Sequence, residues 1–364
     1  MSEITAYVDA AAIRSNIEYL QKVSQTNLMA VVKANAYGHG LAGVVSICTK
    51  AGIDWFGVAT IDEAQKVKAT APEARVLAWL YQLDEEMIQC AIDSGIHLAI
   101  FNEQQVEFLS YLQTEQQITV HLHVDTGMSR GGLSPSEAVQ TAQTISQNPK
   151  FNLEGVFTHL VSSEASNDEV VMGQLGTFRE IQTQIKKLGI EVPNFHLANS
   201  GGALNYDVSD FSFVRAGIAL YGIDPSDKPN SNLKPAMKVS APIIQLKQVD
   251  KGIGVGYNHT SKTEQDTTLA LVPVGYADAI PRTASGKLTV WVNGEKRRTF
   301  GTISMDQFII EAAAQDEIGD EVIIFGDPSL GHPTVCDLAS AAGTISYEVL
   351  VRIGSRVQRK YLNL

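Results

Sequence analysis

The stretch LMAVVK, residues 28–33, is a short apolar run that ends in a lysine, and similar runs recur along the next 190 residues or so. They are WFGVAT (55–60), VLAWLY (76–81), HLAIF (97–101), VHLHVD (120–125), LEGVFTH (153–159), NFHLANS (194–200) and FVRAGIALYG (213–222). Short, continuous apolar runs are typical of strands that are buried on both faces of a parallel sheet. The pattern therefore predicts eight buried strands.

Segments with helical spacing separate these runs. Apolar residues recur every three or four positions, and Asp or Asn begins several of the segments, as in DEAQKVKAT (62–70), DEEMIQCAIDSG (84–95), NEQQVEFLSYL (102–112) and QLGTFREIQTQIKKLG (174–189). Eight strands that alternate with helices predict a (β/α)8 barrel of the TIM type. An open doubly wound sheet is the alternative, but no Gly-rich dinucleotide-binding turn follows the first strand.

The sequence on either side of the barrel has a different pattern. Before it, Asp9 is predicted to cap a helix. Ile13, Ile17 and Leu20 form the buried face of that helix. After about Pro235, strand follows strand: KVSAPIIQLKQV (238–249), TTLALVPVG (267–275), KLTVWV (287–292), FIIEA (308–312) and EVIIFG (321–326), with Asn293-Gly294 as a type I′ hairpin signal. We therefore expect two domains, an α/β barrel over residues 1–234 and a mostly β domain over residues 235–364.

Composition excludes several classes of function. The 364 residues carry 28 Lys plus Arg against 40 Asp plus Glu, a net charge of −12, and no basic run that could follow a nucleic-acid backbone. The N-terminal residues lack the pattern of a signal peptide, and no apolar stretch reaches the length of a membrane span. We expect a cytoplasmic globular protein that binds neither nucleic acid nor membrane.

The cysteines give no sign of a disulfide framework or a metal site. Cys48, Cys90 and Cys336 are few, odd in number and far apart in the sequence. We interpret them as ordinary thiols and expect no metal.

Polar residues collect where the predicted strands end. The active site of a barrel of this type is built at the carboxyl ends of its strands. A lysine such as Lys33 is usually a surface residue whose charge reaches water, and a single histidine such as His159 is usually core. The other residues predicted at this end of the barrel are Tyr37, Arg130, Asn199, Ser200, Arg215 and Gly217. The convergence of so many polar groups favours a functional site.

Motifs along the whole sequence resemble those of a known family. The stretch AVVKANAYGHG (30–40) is similar to the cofactor-lysine motif of alanine racemases. Further similar motifs follow in that family's order: VDTGMSRGG (124–132), FTHL (157–160), HLANS (196–200), VRAGIALYG (214–222), VGYN (255–258), VGYAD (274–278), SMDQ (304–307) and ISYE (345–348). Because the motifs are ordered and span both predicted domains, the resemblance is far more specific than any one of them.

The resemblance implies a cytoplasmic homodimer that uses pyridoxal phosphate to interconvert L- and D-alanine and so supplies D-alanine for bacterial cell-wall peptidoglycan. Lys33 would form the Schiff base with the cofactor. Tyr37, Ser200 and Tyr347 would donate hydroxyl hydrogen bonds to its phosphate. The other expected cofactor contacts are Trp79, Arg130, His159, Asn199, Arg215, and the backbone N–H groups of Ser200, Gly217 and Ile218.

Arg215 would face the pyridine nitrogen of the cofactor. A guanidinium keeps its protons, so it can donate a hydrogen bond to that nitrogen but cannot hold it in the protonated form. The ring is then a weaker electron sink, which favours racemisation over transamination.

Racemisation requires acid/base groups on both faces of the α-carbon. The resemblance assigns Lys33 to one face and Tyr257, from the β domain of the partner subunit, to the other. His159 would activate Tyr257, since a free tyrosine is a poor base at neutral pH.

The substrate carboxylate would be bound by Arg130 and by the backbone around Met305, again from the partner subunit. Asp306 would lie close by, and Tyr276 would narrow the approach to the site together with Tyr347. These four residues, Arg130, Met305, Asp306 and Tyr276, are the expected substrate contacts.

Three positions depart from the family pattern. His123 stands where many members have a lysine that can be carbamylated and brace the nearby arginine, so another group or an anion must brace Arg130. Trp79 replaces a common leucine, and Ser304 a common cysteine. These departures leave substrate breadth open, and a broader racemase that also accepts serine is the alternative function. A decarboxylase of similar architecture and a non-catalytic cofactor-binding barrel are disfavoured, the first by Arg215 and the second by the segment after Pro235.

Overall fold

The computed structural model describes residues 4–166 and 168–364. The chain opens with strand β1 (Thr5–Asp9) and helix α1 (Ala10–Ser24). As predicted, the Asp9 carboxylate caps this helix, because it accepts a hydrogen bond of 2.8 Å from the Ala11 backbone N–H. Ile13, Ile17 and Leu20 are buried on one face of α1, which confirms the predicted orientation of the helix.

Eight parallel strands follow and form a barrel. They are β2 (Asn27–Val31), β3 (Trp55–Val58), β4 (Arg75–Ala78), β5 (Ile96–Ile100), β6 (Ile118–His123), β7 (Phe151–Phe157), β8 (Asn194–His196) and β9 (Phe213–Ala216), paired in the order β8-β7-β6-β5-β4-β3-β2-β9. Two backbone hydrogen bonds connect β8 and β9 through the residues that flank them: Ser212 N–H, just before β9, donates to the Phe195 carbonyl at 2.9 Å, and Arg215 N–H donates to the carbonyl of Ala198, just after β8, at 2.8 Å. The predicted barrel is confirmed.

Eight helices follow the barrel strands, and all but the first two begin at a residue whose side chain caps them. They are α2 (Lys33–Tyr37), α3 (Leu41–Lys50), α4 (Ile61–Thr70), α5 (Glu85–Asp93), α6 (Glu103–Tyr111), α7 (Pro135–Ser146), α8 (Glu169–Lys187) and α9 (Ser200–Asn205). The Asp84 and Asn102 side chains accept backbone N–H groups at the starts of α5 and α6, and Thr60 forms a capping box with Glu63 at the start of α4.

Several predicted strands are longer than the observed ones. The run FVRAGIALYG splits into β9 and a 3₁₀ helix, Ile218–Tyr221, and the run NFHLANS leaves its strand after His196. The first barrel strand, β2, ends at Val31, so Lys33 begins α2 and does not end a strand. Apolar character continues past these strand ends because the residues there are buried, and burial alone does not distinguish a strand from a buried turn.

The remaining strands and two helices follow Pro235. They are β10 (Met237–Pro242), β11 (Gln245–Val249), β12 (Gly254–Val255), β13 (Ser261–Lys262), β14 (Thr267–Val272), β15 (Thr289–Val292), β16 (Glu295–Arg298), β17 (Phe308–Glu311), β18 (Glu321–Phe325), α10 (Val335–Ala342), α11 (Ser346–Val351) and β19 (Gln358–Leu362). The predicted run 238–249 is two strands in different sheets, since β10 ends at Pro242. Asn293 and Gly294 have φ values of 46° and 88°, as a type I′ hairpin between β15 and β16 requires.

The largest C-terminal sheet also contains the first strand of the chain. Its order is β16-β15-β18-β10-β1-β19, with β1 antiparallel to β10 and parallel to β19. The segment that precedes the barrel is therefore held by strands from the other end of the chain. Among the residues described, no helix has the length and apolar character that crossing a membrane requires.

Candidate active site

One cavity of about 870 Å³ opens at the carboxyl end of the barrel strands, where a barrel of this type places its active site. Helix α11 of the C-terminal segment closes one of its sides. All eleven residues predicted to contact the cofactor line this cavity: Lys33, Tyr37, Trp79, Arg130, His159, Asn199, Ser200, Arg215, Gly217, Ile218 and Tyr347. The structure thus brings together residues that are up to 314 positions apart in the sequence, Lys33 and Tyr347 being the outermost.

Four other predicted site residues lie away from the cavity of their own chain. Tyr257, Met305 and Tyr276 are exposed, with 66%, 53% and 43% of their surfaces accessible to solvent. Asp306 forms an ion pair of 2.8 Å with Arg356. The described residues of one chain therefore supply one half of the predicted site and leave the other half on the surface.

Lys33 is followed by a left-handed turn. Ala34, Asn35, Ala36 and Tyr37 all have φ values between 50° and 55°. L-residues pay roughly 1–2 kcal/mol each for this conformation, so the turn needs support from its surroundings. Part of that support comes from Glu63, whose carboxylate accepts a hydrogen bond of 2.6 Å from the Ala34 N–H.

Two further contacts hold the same turn. The buried imidazole of His39 donates from Nδ1 to the Tyr37 carbonyl at 2.9 Å. Gly38 follows with φ 79°, and a Cβ there would lie 2.1 Å from the Leu350 carbonyl oxygen of α11. The turn therefore fixes the positions of Lys33 and Tyr37 against the C-terminal segment.

The Lys33 ammonium faces an indole ring and two cations. Its Nζ lies 5.4 Å from the centre of the Trp79 ring. Burial lowers the pKa of Lys33, and so does the charge of Arg130, followed by that of Arg215, while Glu63 opposes them. A lowered pKa makes more of the amine available in its neutral, nucleophilic form.

Trp79 occupies space that a glycine leaves open. A Cβ at Gly57 would come within 2.7 Å of the indole ring. The ring fills the wall of the cavity, and its buried Nε1–H makes no hydrogen bond to any residue that the structure describes.

Arg215 is buried and held by acceptors on every side of its terminal nitrogens. Nη1 donates to the Nδ1 atom and the carbonyl oxygen of His196, both at 3.0 Å. Nη2 donates to the Thr158 carbonyl at 2.6 Å, the Leu197 carbonyl at 3.1 Å and the His159 Nδ1 atom at 3.2 Å. Within the described ranges, only Nε–H of the guanidinium is left without an acceptor.

These acceptors carry no negative charge. Burial, and secondarily Arg130, lowers the pKa of Arg215 to about 9, which keeps the guanidinium charged at neutral pH. Burial and then the charge of Arg215 lower the pKa of His159, so its imidazole stays neutral. Because its Nδ1 accepts from Arg215, the proton of His159 lies on Nε2.

A group of hydroxyl and backbone donors lines another part of the cavity, around Ser200, Gly217 and Tyr37. The Ser200 Oγ accepts hydrogen bonds from the N–H groups of Gly217 at 3.0 Å and Ala219 at 3.2 Å, so its own proton is free to donate. The Tyr37 hydroxyl lies so near Gly217 that a Cβ there would come within 2.5 Å of it. Burial raises the pKa of Tyr37 and of Tyr347, so both hydroxyls stay protonated donors.

Asn199 has a structural task beside this group of donors. Its side-chain oxygen caps α9 by accepting the Gly202 N–H at 2.9 Å, and it also accepts a hydrogen bond of 2.6 Å from the Ser163 hydroxyl. Asn199 therefore holds Ser200 in place at the start of α9, whatever else it contacts.

Arg130 lies in the loop after β6. The Asp125 carboxylate shapes this loop by accepting the N–H groups of Gly127 at 2.9 Å and Ser129 at 3.0 Å. Arg130 forms no ion pair with the residues described. Its charge is therefore available to an anion in the cavity.

His123 does not brace Arg130. Its ring lies 4.6 Å from the ring centres of both Phe101 and Phe157, and its buried Nδ1 has no partner among the described residues. Burial, followed by the charge of Arg215, lowers the pKa of His123 to about 3, so the ring is neutral.

Several groups that shape the site were not predicted from the sequence. His196 and the carbonyls of Thr158 and Leu197 hold Arg215, and Glu63 holds the turn after Lys33. A signal for His196 was present in the alternation of the strands, because a histidine at an inward position of a barrel strand replaces the usual aliphatic residue. Glu63 gave a signal only as the third residue of a capping box.

Two family models together match most of the chain. Residues 8–225 match the model of the N-terminal domain of alanine racemase, and residues 236–361 match the model of its C-terminal domain. The chain is 37% identical to the alanine racemase of Thermobifida fusca over 367 residues, which cover 98% of this chain and 97% of that protein. It is 38% identical to the alanine racemase of Salinispora arenicola over 362 residues, which cover 97% of each.

Solved structures agree with the sequence comparison. The crystal structure of alanine racemase from a D-cycloserine-producing Streptomyces lavendulae matches this fold with a TM-score of 0.93 and 34% sequence identity. That match covers all of this chain and 98% of the other.

Proposed function

This chain belongs to the alanine racemase family, whose members are pyridoxal-phosphate-dependent isomerases, and we propose that it interconverts L- and D-alanine. The observation that carries the proposal is the setting of Arg215, a buried cation that faces the same cavity as Lys33 and has only neutral acceptors around it. Relatives named alanine racemase favour this substrate over the broader alternative that includes serine.

The residues of the cavity fit pyridoxal phosphate. The phosphate would be held by the free hydroxyls of Ser200, Tyr37 and Tyr347 and by the backbone N–H group of Ile218. The Gly217 N–H, also expected there, already donates to the Ser200 Oγ and so positions that hydroxyl. The close fit of the Tyr37 hydroxyl over Gly217 supports this position, because only a residue without a Cβ leaves room for it. The cationic groups of Lys33, Arg130 and Arg215 match a ligand with several negative charges.

When bound, the cofactor supplies an electron sink that acidifies the α-proton of the amino acid. The Nε–H of Arg215 is the donor left to meet the pyridine nitrogen, and a guanidinium cannot pass that nitrogen a proton at neutral pH. Arg215 thereby restrains the strength of the sink, which keeps the proton chemistry at the α-carbon and disfavours transamination.

Lys33 acts on one face of the α-carbon. Its lowered pKa favours a neutral amine, which would hold the cofactor through its aldehyde and would take or return the α-proton on this face. The guanidinium of Arg130 holds the substrate carboxylate, which orients the α-carbon toward Lys33.

Tyr257 acts on the opposite face, from the partner subunit. It is exposed on its own chain and stands outside that chain's cavity. His159 carries its proton on Nε2, so it can donate a hydrogen bond to the Tyr257 oxygen of the partner and stabilise the tyrosinate form needed for a base.

The protein acts as a homodimer with two shared sites. Residues 1–234 provide the cofactor-binding barrel, and residues 235–364 extend to the site of the partner, where Met305, Asp306 and Tyr276 complete the substrate pocket. Their exposure on the single chain supports this division. The enzyme works in the cytoplasm, where its product D-alanine enters the synthesis of bacterial cell-wall peptidoglycan.

A racemisation assay tests the proposed function. The purified protein, loaded with pyridoxal phosphate, is incubated with single L-amino acids, and chiral chromatography measures the D-isomers. We expect equilibration of alanine and much slower conversion of serine. Rates for alanine that do not exceed those of the cofactor alone would contradict the proposal, and equal rates for serine would favour the broader racemase.

A further inference from the structure

Three histidines that the mechanism above does not use form a line of hydrogen bonds inside the barrel. His97 Nδ1 lies 3.1 Å from His121 Nε2, and His121 Nδ1 lies 3.1 Å from His196 Nε2. The line ends at Arg215, whose Nη1 lies 3.0 Å from His196 Nδ1. We refer to His97, His121 and His196 as the imidazole chain.

The chemistry of Arg215 fixes the direction of every bond in this chain. A guanidinium only donates, so His196 Nδ1 accepts and the proton of His196 lies on Nε2. That Nε2–H donates to His121 Nδ1, which places the proton of His121 on Nε2 as well. The same step repeats at His97. All three imidazoles are therefore neutral Nε2–H tautomers, and their dipoles align with the negative ends toward Arg215.

The surroundings of the imidazole chain favour neutral rings. Burial lowers the pKa of His97 to about 4, with further lowering by the charges of Lys68 and Arg75. The pKa values of His121 and His196 also fall well below the ordinary value, because both rings are buried. A neutral imidazole has one donor and one acceptor, which is the set that each inner link of the chain requires.

The barrel is built around these rings. A Cβ at Gly155 would lie 2.2 Å from His121 Nδ1, so this position leaves room for the ring only as glycine. The pairing of β6 with β7 shifts register between Val120 and His121. Phe157 stacks on His196 with ring centres 5.1 Å apart and an interplanar angle of 6°. The imidazole chain ends at His97, near the start of β5, and His97 Nε2 bonds to no described residue.

We propose that His97 and His121 are positioning residues for Arg215. Through His196, the aligned chain stabilises the charge of a guanidinium that has no carboxylate partner and fixes its plane, so that Nε–H points at the ring nitrogen of the cofactor. The part of this inference that concerns the cofactor rests on the proposed function. The direction of the hydrogen bonds in the imidazole chain does not rest on the proposed function, because it follows from Arg215 and the three imidazoles alone.

Nitrogen NMR of the full-length protein tests the direction of the chain. The protein is labelled with ¹⁵N-histidine and loaded with pyridoxal phosphate, and His97→Gln and His121→Gln variants assign the signals. We expect each ring of the imidazole chain to show a protonated Nε2 and a bare Nδ1 throughout pH 6–8, where Arg215 keeps its charge. A proton on Nδ1 of His121 or His196, or averaging of the two tautomers, would overturn the inference.

A matched pair of variants tests the effect on Arg215. His121→Phe keeps an aromatic ring and removes both hydrogen bonds of the central link. Trp55→Phe is the control, because Trp55 contacts the rings of His97 and His121 at their edges and makes no hydrogen bond in the chain. We expect His121→Phe to lower kcat for alanine roughly tenfold, with KM within about twofold, and to raise the ratio of pyruvate formed to alanine racemised roughly tenfold.

The control variant should leave that ratio within about twofold of the unmodified protein. A folded, cofactor-loaded His121→Phe protein with an unchanged ratio would overturn the positioning role. If His121→Phe does not fold, the tautomers of the unmodified protein decide the inference. An unmodified protein that shows the expected tautomers but racemises no amino acid would contradict the proposed function alone.

Discussion

The two groups of predicted site residues have opposite surroundings. At the mouth of the barrel, Arg215 is buried among five acceptors, and Lys33 is half-buried at the start of a left-handed turn that neighbouring residues support. On the C-terminal sheets, Tyr257 and Met305 are exposed. Packing within one chain fixes Lys33 and Arg215 in the cavity, whereas Tyr257 and Met305 reach such a cavity only in the proposed dimer.

Removal of the barrel lysine should have the largest effect. Lys33→Ala takes away both the covalent anchor of the cofactor and one of the two bases, so we expect activity to fall by about 10⁴ or more. Borohydride reduction of the loaded protein followed by mass spectrometry should show cofactor attached to the unmodified chain and none attached at position 33 of the variant. Robust racemisation by Lys33→Ala would refute the assignment of the barrel half.

Removal of the exposed tyrosine hydroxyl should have the next largest effect. Tyr257→Phe should keep the fold and the cofactor while lowering racemisation by roughly 10² to 10⁴, the usual contribution of a positioned acid/base group. Because Lys33 still serves one face, deuterium uptake from solvent into D-alanine should persist, whereas uptake into L-alanine should collapse. Equal losses for both isomers would show that Tyr257 does not serve one face.

A change of charge at Arg215 should alter the outcome of the reaction more than its rate. Arg215→Glu places a carboxylic group opposite the pyridine nitrogen and lets that nitrogen hold a proton. We expect pyruvate formed by transamination to rise at least about tenfold relative to racemisation. Arg215→Lys keeps the positive charge and should change this ratio less, and an unchanged ratio in Arg215→Glu would contradict the role given to Arg215.

Acid should lower the stability of the barrel more than that of the C-terminal part, which has fewer histidines, and neutral pH should have no such effect. Burial lowers the folded-state pKa of His97 to about 4 and of His123 to about 3, and it lowers those of His121 and His196 well below the ordinary value. The unfolded chain therefore binds more protons than the folded barrel below about pH 6.5. Stability is complete above that pH and falls as the pH drops, by up to about 1.4 kcal/mol per pH unit for each histidine.

Hydrogen exchange measured between pH 7 and pH 4.5 checks this expectation. Six of the eight histidines of the chain belong to residues 1–234, and two, His259 and His332, belong to the C-terminal part. The protection factors of amides in the barrel strands, which correct for the pH dependence of the chemical exchange rate, should fall as the pH falls. A barrel whose protection is the same at both ends of the range would contradict the neutral imidazoles.

The sequence predicted the barrel because its strands are short apolar runs with capped helices between them, as at Asp84 and Asn102. It also predicted eleven of the residues that line the cavity, since predicted strand ends and family motifs coincide at Lys33, Ser200 and Arg215. It could not predict the left-handed turn after Lys33, because Ala34 and Ala36 have no preference for that conformation and tertiary contacts impose it. The imidazole chain also escaped prediction, since hydrogen bonds between three strands depend on the register of the closed barrel.

The central claim, that each site combines the barrel of one subunit with Tyr257 of the other, is tested most directly by mixing two inactive variants. A heterodimer of one Lys33→Ala subunit and one Tyr257→Phe subunit contains one site with both substitutions and one site with neither. If sites are shared, mixing should restore activity toward half that of the unmodified dimer per heterodimer. If mass spectrometry confirms that subunits have exchanged and no activity returns, Tyr257 does not act across the interface and the account is contradicted.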